Sequence, residues 1–375
     1  MTEHVIRTSR WTHEDVLRID PVRSSVAPII SNPVRLIDDV DLWDYWPVQM
    51  LDGHPAIIAG GTMFMALCAP VDPDPERRHT VARIRLLHRI GADWHDLGMA
   101  FPDDFSPGSR EWSGSATLSP DSSVITLYYT VAGVRGEAET SFTQRLFQTQ
   151  ARLTVIDGRP SVSPWSEPTE FLWPDDEYYM SDMVGGGTIG AIKAFRDPGY
   201  FRDPADQADY IVFAGSLAGS RSQWNGVVGI ARRGADGQWH ILPPLIDADG
   251  VNNELERPHI VARDGRYYLF WSTQAKVFAS GAPAGPTGLY GMVADRLSGP
   301  WTPLNGSGLV FANPPAAPFQ AYSWLVLPDL CVQSFADLVG LAQPPKDVAE
   351  ARAHFGGTPA PELHIALDGA KAWLS

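Results

Sequence analysis

The sequence predicts an all-β protein, and three observations carry that prediction. Turn-forming residues are dense, with 34 glycines and 32 prolines in 375 residues. Six Asp-Gly pairs, at Asp52, Asp157, Asp236, Asp249, Asp264 and Asp368, mark hairpins. Several of them separate runs rich in Val, Ile, Thr, Tyr and Phe, and no βα alternation interrupts the series. Many short strands without helices between them imply a sandwich, a barrel or a propeller.

In chain order, residues 11–19 carry the first helical signal. Residues 123–131 and 145–156 read as strands. Residues 230–233 and 238–242 flank Asp236-Gly237, and residues 259–263 and 267–272 flank Asp264-Gly265, so both pairs read as hairpins. Residues 346–354 carry the second helical signal, again near a chain end. There is no strict repeat and no linker-like break in composition. Residues 1–375 are therefore expected to form one domain, with residues 1–30 as an N-terminal extension packing on it.

Composition narrows the function. The formal net charge of −15 argues against nucleic acid or an anionic membrane as partner, because both require clustered Lys and Arg. No stretch approaches the roughly 18 apolar residues of a membrane span, and the start of the chain has no apolar signal-like core. Cys68 and Cys331 lie in the apolar runs 63–69 and 325–332, so buried free thiols are expected, with one long-range disulfide as the alternative. The ten histidines form no H-E-x-x-H or Cys/His cluster, so no catalytic zinc is expected. Gly185 to Gly190 satisfy G-x-G-x-x-G, but no clear buried strand precedes them and no helical pattern follows. No nucleotide site is expected there.

Three short segments carry carboxylates in company that fits sugar chemistry. Trp43-Asp44-Tyr45-Trp46-Pro47 sets one aspartate among indole faces, which suit the apolar faces of sugar rings. Phe195-Arg196-Asp197-Pro198 and Glu254-Leu255-Glu256-Arg257-Pro258 follow. Glu254 and Glu256 are two apart, so in a strand both would point to one face and raise each other's proton affinity. Retaining glycoside hydrolysis needs two carboxyl groups about 5–5.5 Å apart, one to attack the anomeric carbon and one to protonate the leaving oxygen. Asp44, Asp197 and Glu256 are far apart in sequence, so they meet only if separate segments converge. A propeller axis provides that convergence.

Taken together these segments resemble the fructosyl-transferring glycoside hydrolases of family 68, the levansucrases, inulosucrases and related sucrose-splitting enzymes. Further segments carry the resemblance from about residue 30 to the C-terminus, in the family's order. They are Glu111-Trp112-Ser113-Gly114-Ser115-Ala116, Tyr210-Ile211-Val212-Phe213-Ala214-Gly215, Asn313-Pro314-Pro315, Gln320-Ala321-Tyr322-Ser323 and Phe355-Gly356-Gly357-Thr358-Pro359-Ala360-Pro361. One departure is Ala214, where the family usually has Glu.

The resemblance implies a five-bladed β-propeller with a central, funnel-shaped active site. It implies Asp44 as nucleophile, Asp197 as transition-state stabiliser and Glu256 as acid/base. Trp43 and Trp112 would pack around the fructosyl ring, Ser113 would hydrogen-bond near the nucleophile, and Arg196 and Tyr322 would line the sucrose site. Glu254 counts with the substrate-binding residues, and Arg257 would pair with a carboxylate or a substrate hydroxyl. A second Arg-Asp-Pro, at Arg202-Asp203-Pro204, aligns with a structural segment of the family, which makes Asp203 a turn residue. Gln274 falls where relatives often carry a basic side chain beside the acceptor subsite.

No cofactor is implied. Some relatives hold a structural calcium with an aspartate at the position of Asn253, and the asparagine weakens that case. The expected partners are sucrose and fructan or fructo-oligosaccharide acceptors. The expected activity is levansucrase-like transfer with hydrolysis. The alternatives are a mainly hydrolytic or short-oligosaccharide-forming β-fructofuranosidase or inulosucrase and, from another class, a non-catalytic fructan-binding propeller. The resemblance implies secretion, with the cytoplasm as the alternative.

Overall fold

The structure, a computed structural model, describes residues 5–181 and 192–375. The G-x-G-x-x-G stretch at 185–190 lies outside the described residues. Five antiparallel blades follow one another along the chain, each beginning with its innermost strand. Blade I comprises Val40–Gln49, Gly61–Pro70, Arg83–Ile90 and Asp93–Met99. Blade II comprises Arg110–Leu118, Val124–Ala132, Gln144–Ile156 and Arg159–Trp165. Blade III comprises Phe195–Arg202, Asp209–Ser216, Gly226–Arg233 and Trp239–Asp247. Blade IV comprises Glu256–Arg263, Arg266–Thr273, Gly288–Ala294 and Leu309–Ala312. Blade V comprises Ala321–Val326, Cys331–Leu338, Leu363–Asp368 and Lys371–Leu374. The all-β expectation holds, and the architecture is the five-bladed propeller.

The local chemistry agrees with the turns read from sequence. Asp157-Gly158 and Asp264-Gly265 are two-residue hairpin loops in which both residues have positive φ, at 50° and 76° in the first and 51° and 74° in the second. That is the turn whose twist matches the flanking strands, and Asp and Gly tolerate it best. The two helical signals become short helices. His13–Leu17 starts at a Thr12–Asp15 capping box, and Val348–His354 is capped by Asp347.

The N-terminal segment packs along the outside before entering blade I. Ser9–Arg10 adds in parallel to the outer strand of blade III, and Ser25–Val26 adds to Leu309–Ala312 of blade IV. Trp11 is buried against Trp271, Phe278 and Tyr290. Gln320 then fixes residues 28–30 to blade V. Its Nε2 donates to the Pro28 carbonyl at 2.7 Å, and its Oε1 accepts from Ile30 N at 2.9 Å.

Between first and last blades, buried Asp41 takes Arg35 and Arg352 at 2.6 and 2.7 Å, which ties the ends of the ring together. The inner strands of blades I and II touch in parallel at Val48 and Ala116. Cys68 and Cys331 are both buried and free, which resolves the thiol question in favour of separate core residues.

Candidate active site

All five inner strands carry a register shift, and the shifts fall on the motif residues. They lie between Leu42 and Tyr45, Trp112 and Gly114, Arg196 and Gly199, Glu256 and His259, and Tyr322 and Leu325. A bulge adds a residue to one strand and re-aims its side chain. Here the re-aimed positions include Trp43, Asp44, Ser113, Asp197, Arg257 and Ser323. Asp197, Arg257 and Ser323 adopt left-handed φ values of 60°, 48° and 63°, a conformation that non-glycine residues hold only when their surroundings fix it. Gly114 permits the bulge of blade II, since a Cβ there would lie 1.9 Å from the Tyr128 carbonyl oxygen.

The bulges bring Asp44, Asp197 and Glu256 into one electrostatic neighbourhood. Ser113 Oγ donates a very short hydrogen bond to Asp44 Oδ2. Asp197 is 7% exposed, whereas Asp44 and Glu256 keep more of their surface open. Asp197 N donates to Thr130 Oγ1 at 2.9 Å, and Thr130 Oγ1 donates to the Ser113 carbonyl at 3.0 Å, which ties the bulges of blades II and III. Arg257 N donates to Asp197 Oδ2 at 3.2 Å. Arg196 Nη2 donates to Glu256 Oε1 at 2.9 Å and lies 3.6 Å from Glu254 Oε2. Tyr322 OH donates a very short bond to Glu256 Oε2.

Charge balance in this cluster favours proton retention. Burial pushes the Asp197 carboxyl up to about 7; Arg196 opposes this, and Glu256 and Asp44 add to it. Burial, then Glu256, pushes Glu254 up to about 7. Burial disfavours the Arg196 charge, but Glu256, Glu254 and Asp197 outweigh it and hold the guanidinium above its ordinary range. Asp197 and Glu254, both raised toward neutrality beside the buried Arg196 guanidinium, therefore hold protons in this cluster further up the pH scale than free carboxyls do.

Several expectations need correction. Glu254 does not share a strand face with Glu256, because the strand begins at Glu256. The two carboxylates instead meet at Arg196. The Arg257 side chain neither pairs with a carboxylate nor opens to a substrate hydroxyl. It is 5% exposed, and its guanidinium donates to the carbonyls of Ser323 and Tyr45 at 2.9 Å each. Only its backbone N–H serves a carboxylate. Trp43 and Trp112 are mostly buried, and Trp112 Nε1 donates to the His79 carbonyl at 3.4 Å. The Gln274 amide lies beside the Tyr322 hydroxyl.

Other motif residues are scaffold. Glu111 Oε2 accepts from Ile84 N at 2.7 Å and Oε1 accepts from Arg83 at 3.0 Å. Asn313 Nδ2 donates to the Ala321 carbonyl at 2.8 Å, at the start of the inner strand of blade V. Asp203 Oδ1 accepts from Ala205 N and Tyr267 OH at 2.8 and 2.6 Å, so the second Arg-Asp-Pro holds a turn. Ala214, the departure from the family pattern, is the cross-strand partner of Arg196.

Sequence reading missed Thr130, which sat unmarked in a strand-like run. It also missed Gln144, whose Oε1 accepts from Phe195 N at 3.1 Å. A third omission is the short segment of Arg78 and His79. The Arg78 guanidinium lies 5.9 Å from the Trp43 ring and the His79 ring 6.1 Å from it. No periodicity or motif marked any of these.

A family model described as Levansucrase/Invertase matches residues 1–231 and 222–374. A levansucrase of Pseudomonas savastanoi pv. glycinea is 33% identical over 410 residues, covering 97% of this chain and 93% of its own length. A levansucrase of Rahnella aquatilis is 32% identical over 417 residues, with 97% and 93% coverage. Among solved structures, the inulosucrase from Halalkalicoccus jeotgali bound to kestose superposes with a TM-score of 0.90 at 37% identity, covering 98% of this chain and 95% of that one. The levansucrase from Gluconacetobacter diazotrophicus superposes with a TM-score of 0.84 at 24% identity, covering 100% and 91%, and supports the fold.

Proposed function

Because the chain belongs to the levansucrase/invertase family, glycoside hydrolase family 68, we propose that Asp44, Asp197 and Glu256 carry out its sucrose-cleaving fructosyl transfer through a covalent fructosyl-enzyme. The observation that supports this reading is the proximity of three carboxylates remote in sequence: Asp44 and Asp197 lie in inner-strand bulges, Glu256 borders a third, Arg196 contacts both Asp197 and Glu256, and the Glu256 and Asp44 charges both act on Asp197. Asp44 attacks the anomeric carbon of the fructosyl unit, and its bond from Ser113 orients the attacking oxygen. Glu256, held by Arg196 and Tyr322, gives a proton to the glucosyl oxygen as it leaves. Asp197 hydrogen-bonds fructosyl hydroxyls, and those bonds strengthen as positive charge develops on the ring. Glu256, now a carboxylate, takes the proton of the incoming acceptor. A sugar hydroxyl then gives transfer and water gives hydrolysis.

Tyr322 serves here as the partner that orders the acid/base. The neutral Gln274 beside it favours a product mix with substantial hydrolysis and short oligosaccharides. Incubation with sucrose tests the whole reading. Free glucose reports cleavage, free fructose reports hydrolysis, and linkage and size analysis of the remainder defines the transfer product. No glucose release would overturn it in favour of a binding propeller.

A further inference from the structure

Lys193 stands four residues before Asp197, where the chain enters blade III. Its ammonium donates to three oxygens, the Gln223 carbonyl at 2.6 Å, Asn225 Oδ1 at 2.9 Å and Asn253 Oδ1 at 3.2 Å. An ammonium has three N–H donors and no acceptor, so each donor is matched and both amide oxygens must face it. That fixes the sense of the Asn253 amide. Its Nδ2 then donates to the Ile192 carbonyl at 2.9 Å and to Glu254 Oε1 at 3.5 Å. Glu254 in turn lies against Arg196, which donates to Glu256. An ordered path thus runs from the Lys193 ammonium to the acid/base. The joined segments approach closely, since a Cβ on Gly226 would lie 2.7 Å from the Asn253 carbonyl oxygen.

Asn253 occupies the position at which the family pattern associates an aspartate with structural calcium. The groups here do not fit a divalent ion. Among the described residues they are two carboxamide oxygens and one backbone carbonyl, with the Glu254 and Asp249 carboxylates acting on the ammonium only from outside that set, and a cationic side chain already stands at their centre. We propose that Lys193 is a resident cation that takes the place of a metal ion at this junction, and that it acts as a positioning residue for Glu254 and, through Arg196, for Glu256. The positioning part rests on the acid/base reading of Glu256; the cation part does not.

The test compares the full chain with Lys193→Met and Lys193→Arg. Melting temperature is measured with EDTA and with calcium chloride, and kcat and KM are measured on sucrose. Wild type should melt at the same temperature in both. Lys193→Met should melt lower by about 3–6 °C, reflecting lost charge-assisted hydrogen bonds. It should also lose about tenfold in kcat with KM within about twofold, a split that a general loss of folded protein does not produce once active fraction is normalised. Lys193→Arg keeps the charge and should recover most of both losses. A wild-type melting temperature that falls in EDTA and returns with calcium would overturn the proposal, whatever the variants do. Wild-type melting and kcat in Lys193→Met would overturn it equally. Absence of glucose release by the wild type would instead overturn the fructosyl-transfer reading and leave the cation to the melting measurements.

Discussion

Arg257 Nη2 donates to the Tyr45 carbonyl at 2.9 Å, joining the residue after Glu256 to the residue after Asp44. Its Nη1 donates to the Ser323 carbonyl, also at 2.9 Å, one residue after Tyr322. One forked side chain therefore links three inner-strand bulges, the one that holds Asp44 and those that border Glu256 and Tyr322. Lysine presents a point charge in place of a planar fork and cannot reach both carbonyls in the same way. Arg257→Lys should cost about 1–3 kcal/mol of stability and lower kcat about tenfold or more, with sucrose KM less affected. Calorimetry and steady-state kinetics check it. Wild-type values in both would remove Arg257 from the positioning scheme.

Asp44→Asn removes the charge of the proposed nucleophile with little change of shape. It should lower kcat by about a thousandfold or more while sucrose still binds. Retention of a tenth of wild-type turnover would eliminate Asp44 as nucleophile. Glu256→Gln should impair sucrose more than fructosyl fluoride in the first step, because fluoride leaves with little acid help. Equal losses on both donors would count against Glu256 as the acid.

The two Arg-Asp-Pro copies separate by burial partners. Asp197 faces Arg196 and the Arg257 N–H, whereas Asp203 holds Ala205 N and Tyr267 OH. Asp197→Ala should abolish sucrose cleavage in a folded protein. Asp203→Ala should act on melting temperature, through a lost turn and a stranded buried tyrosine hydroxyl. Thermal melts and glucose release on both variants decide it, and the reverse pattern would exchange the two assignments.

Much of this site was legible because short motifs travel with their chemistry. Trp-Asp, Arg-Asp-Pro and Glu-x-Glu-Arg each placed a carboxylate that the structure brings to the centre. The Asp-Gly pairs marked turns because their positive-φ demand is local to two residues. What escaped depends on long-range geometry. Thr130 acts only because blade II lies beside blade III, and nothing in the strand run around it distinguishes that hydroxyl from its neighbours. The place of Arg257 beside Glu256 suggests a substrate or carboxylate ligand, but at the Glu256–His259 bulge its side chain is buried against the Ser323 and Tyr45 carbonyls. The two-residue spacing predicts Glu254 on the strand face of Glu256, but the strand starts two residues too late for that rule to apply. Bulges are the common cause, since one inserted residue breaks the two-residue alternation on which strand reading rests.

Holding Asp197 in the centre should cost stability in a pH-dependent way. Its folded-state pKa is raised to about 7 by burial, above the ordinary carboxyl value near 3.9. A raised pKa contributes stability that is present below the ordinary value and is lost as pH rises through the folded value. Between about pH 4 and pH 7, wild type should therefore lose on the order of 2–4 kcal/mol relative to a chain with a neutral side chain there. Asp197→Asn should melt close to wild type at pH 4 and several degrees above it at pH 8. Glu254 and Asp337, raised to about 7 and about 6, share the sign but are present in both proteins. Parallel melting curves across this range would contradict the buried, proton-retaining state of Asp197.

The last expectation concerns what the fructosyl-enzyme meets. Gln274 precedes the turn Ala275–Val277 and lies beside the Tyr322 hydroxyl, which donates to Glu256. On the proposed reading, in which Glu256 activates the acceptor, Gln274 is one side chain removed from that step through Tyr322. A neutral amide donates and accepts hydrogen bonds without charge assistance, so it holds a sugar hydroxyl less firmly than a cationic donor does. Lys276 is exposed two residues later, and its charge reaches Glu254, so part of a basic rim is present but displaced from the acid/base. Gln274→His should raise the ratio of transferred to free fructose by about twofold or more and lengthen the products, with initial glucose release little changed. The measurement is free glucose against free fructose over time, with chromatography of the oligosaccharides. An unchanged ratio together with an unchanged product length would show that the acceptor is held elsewhere on the rim.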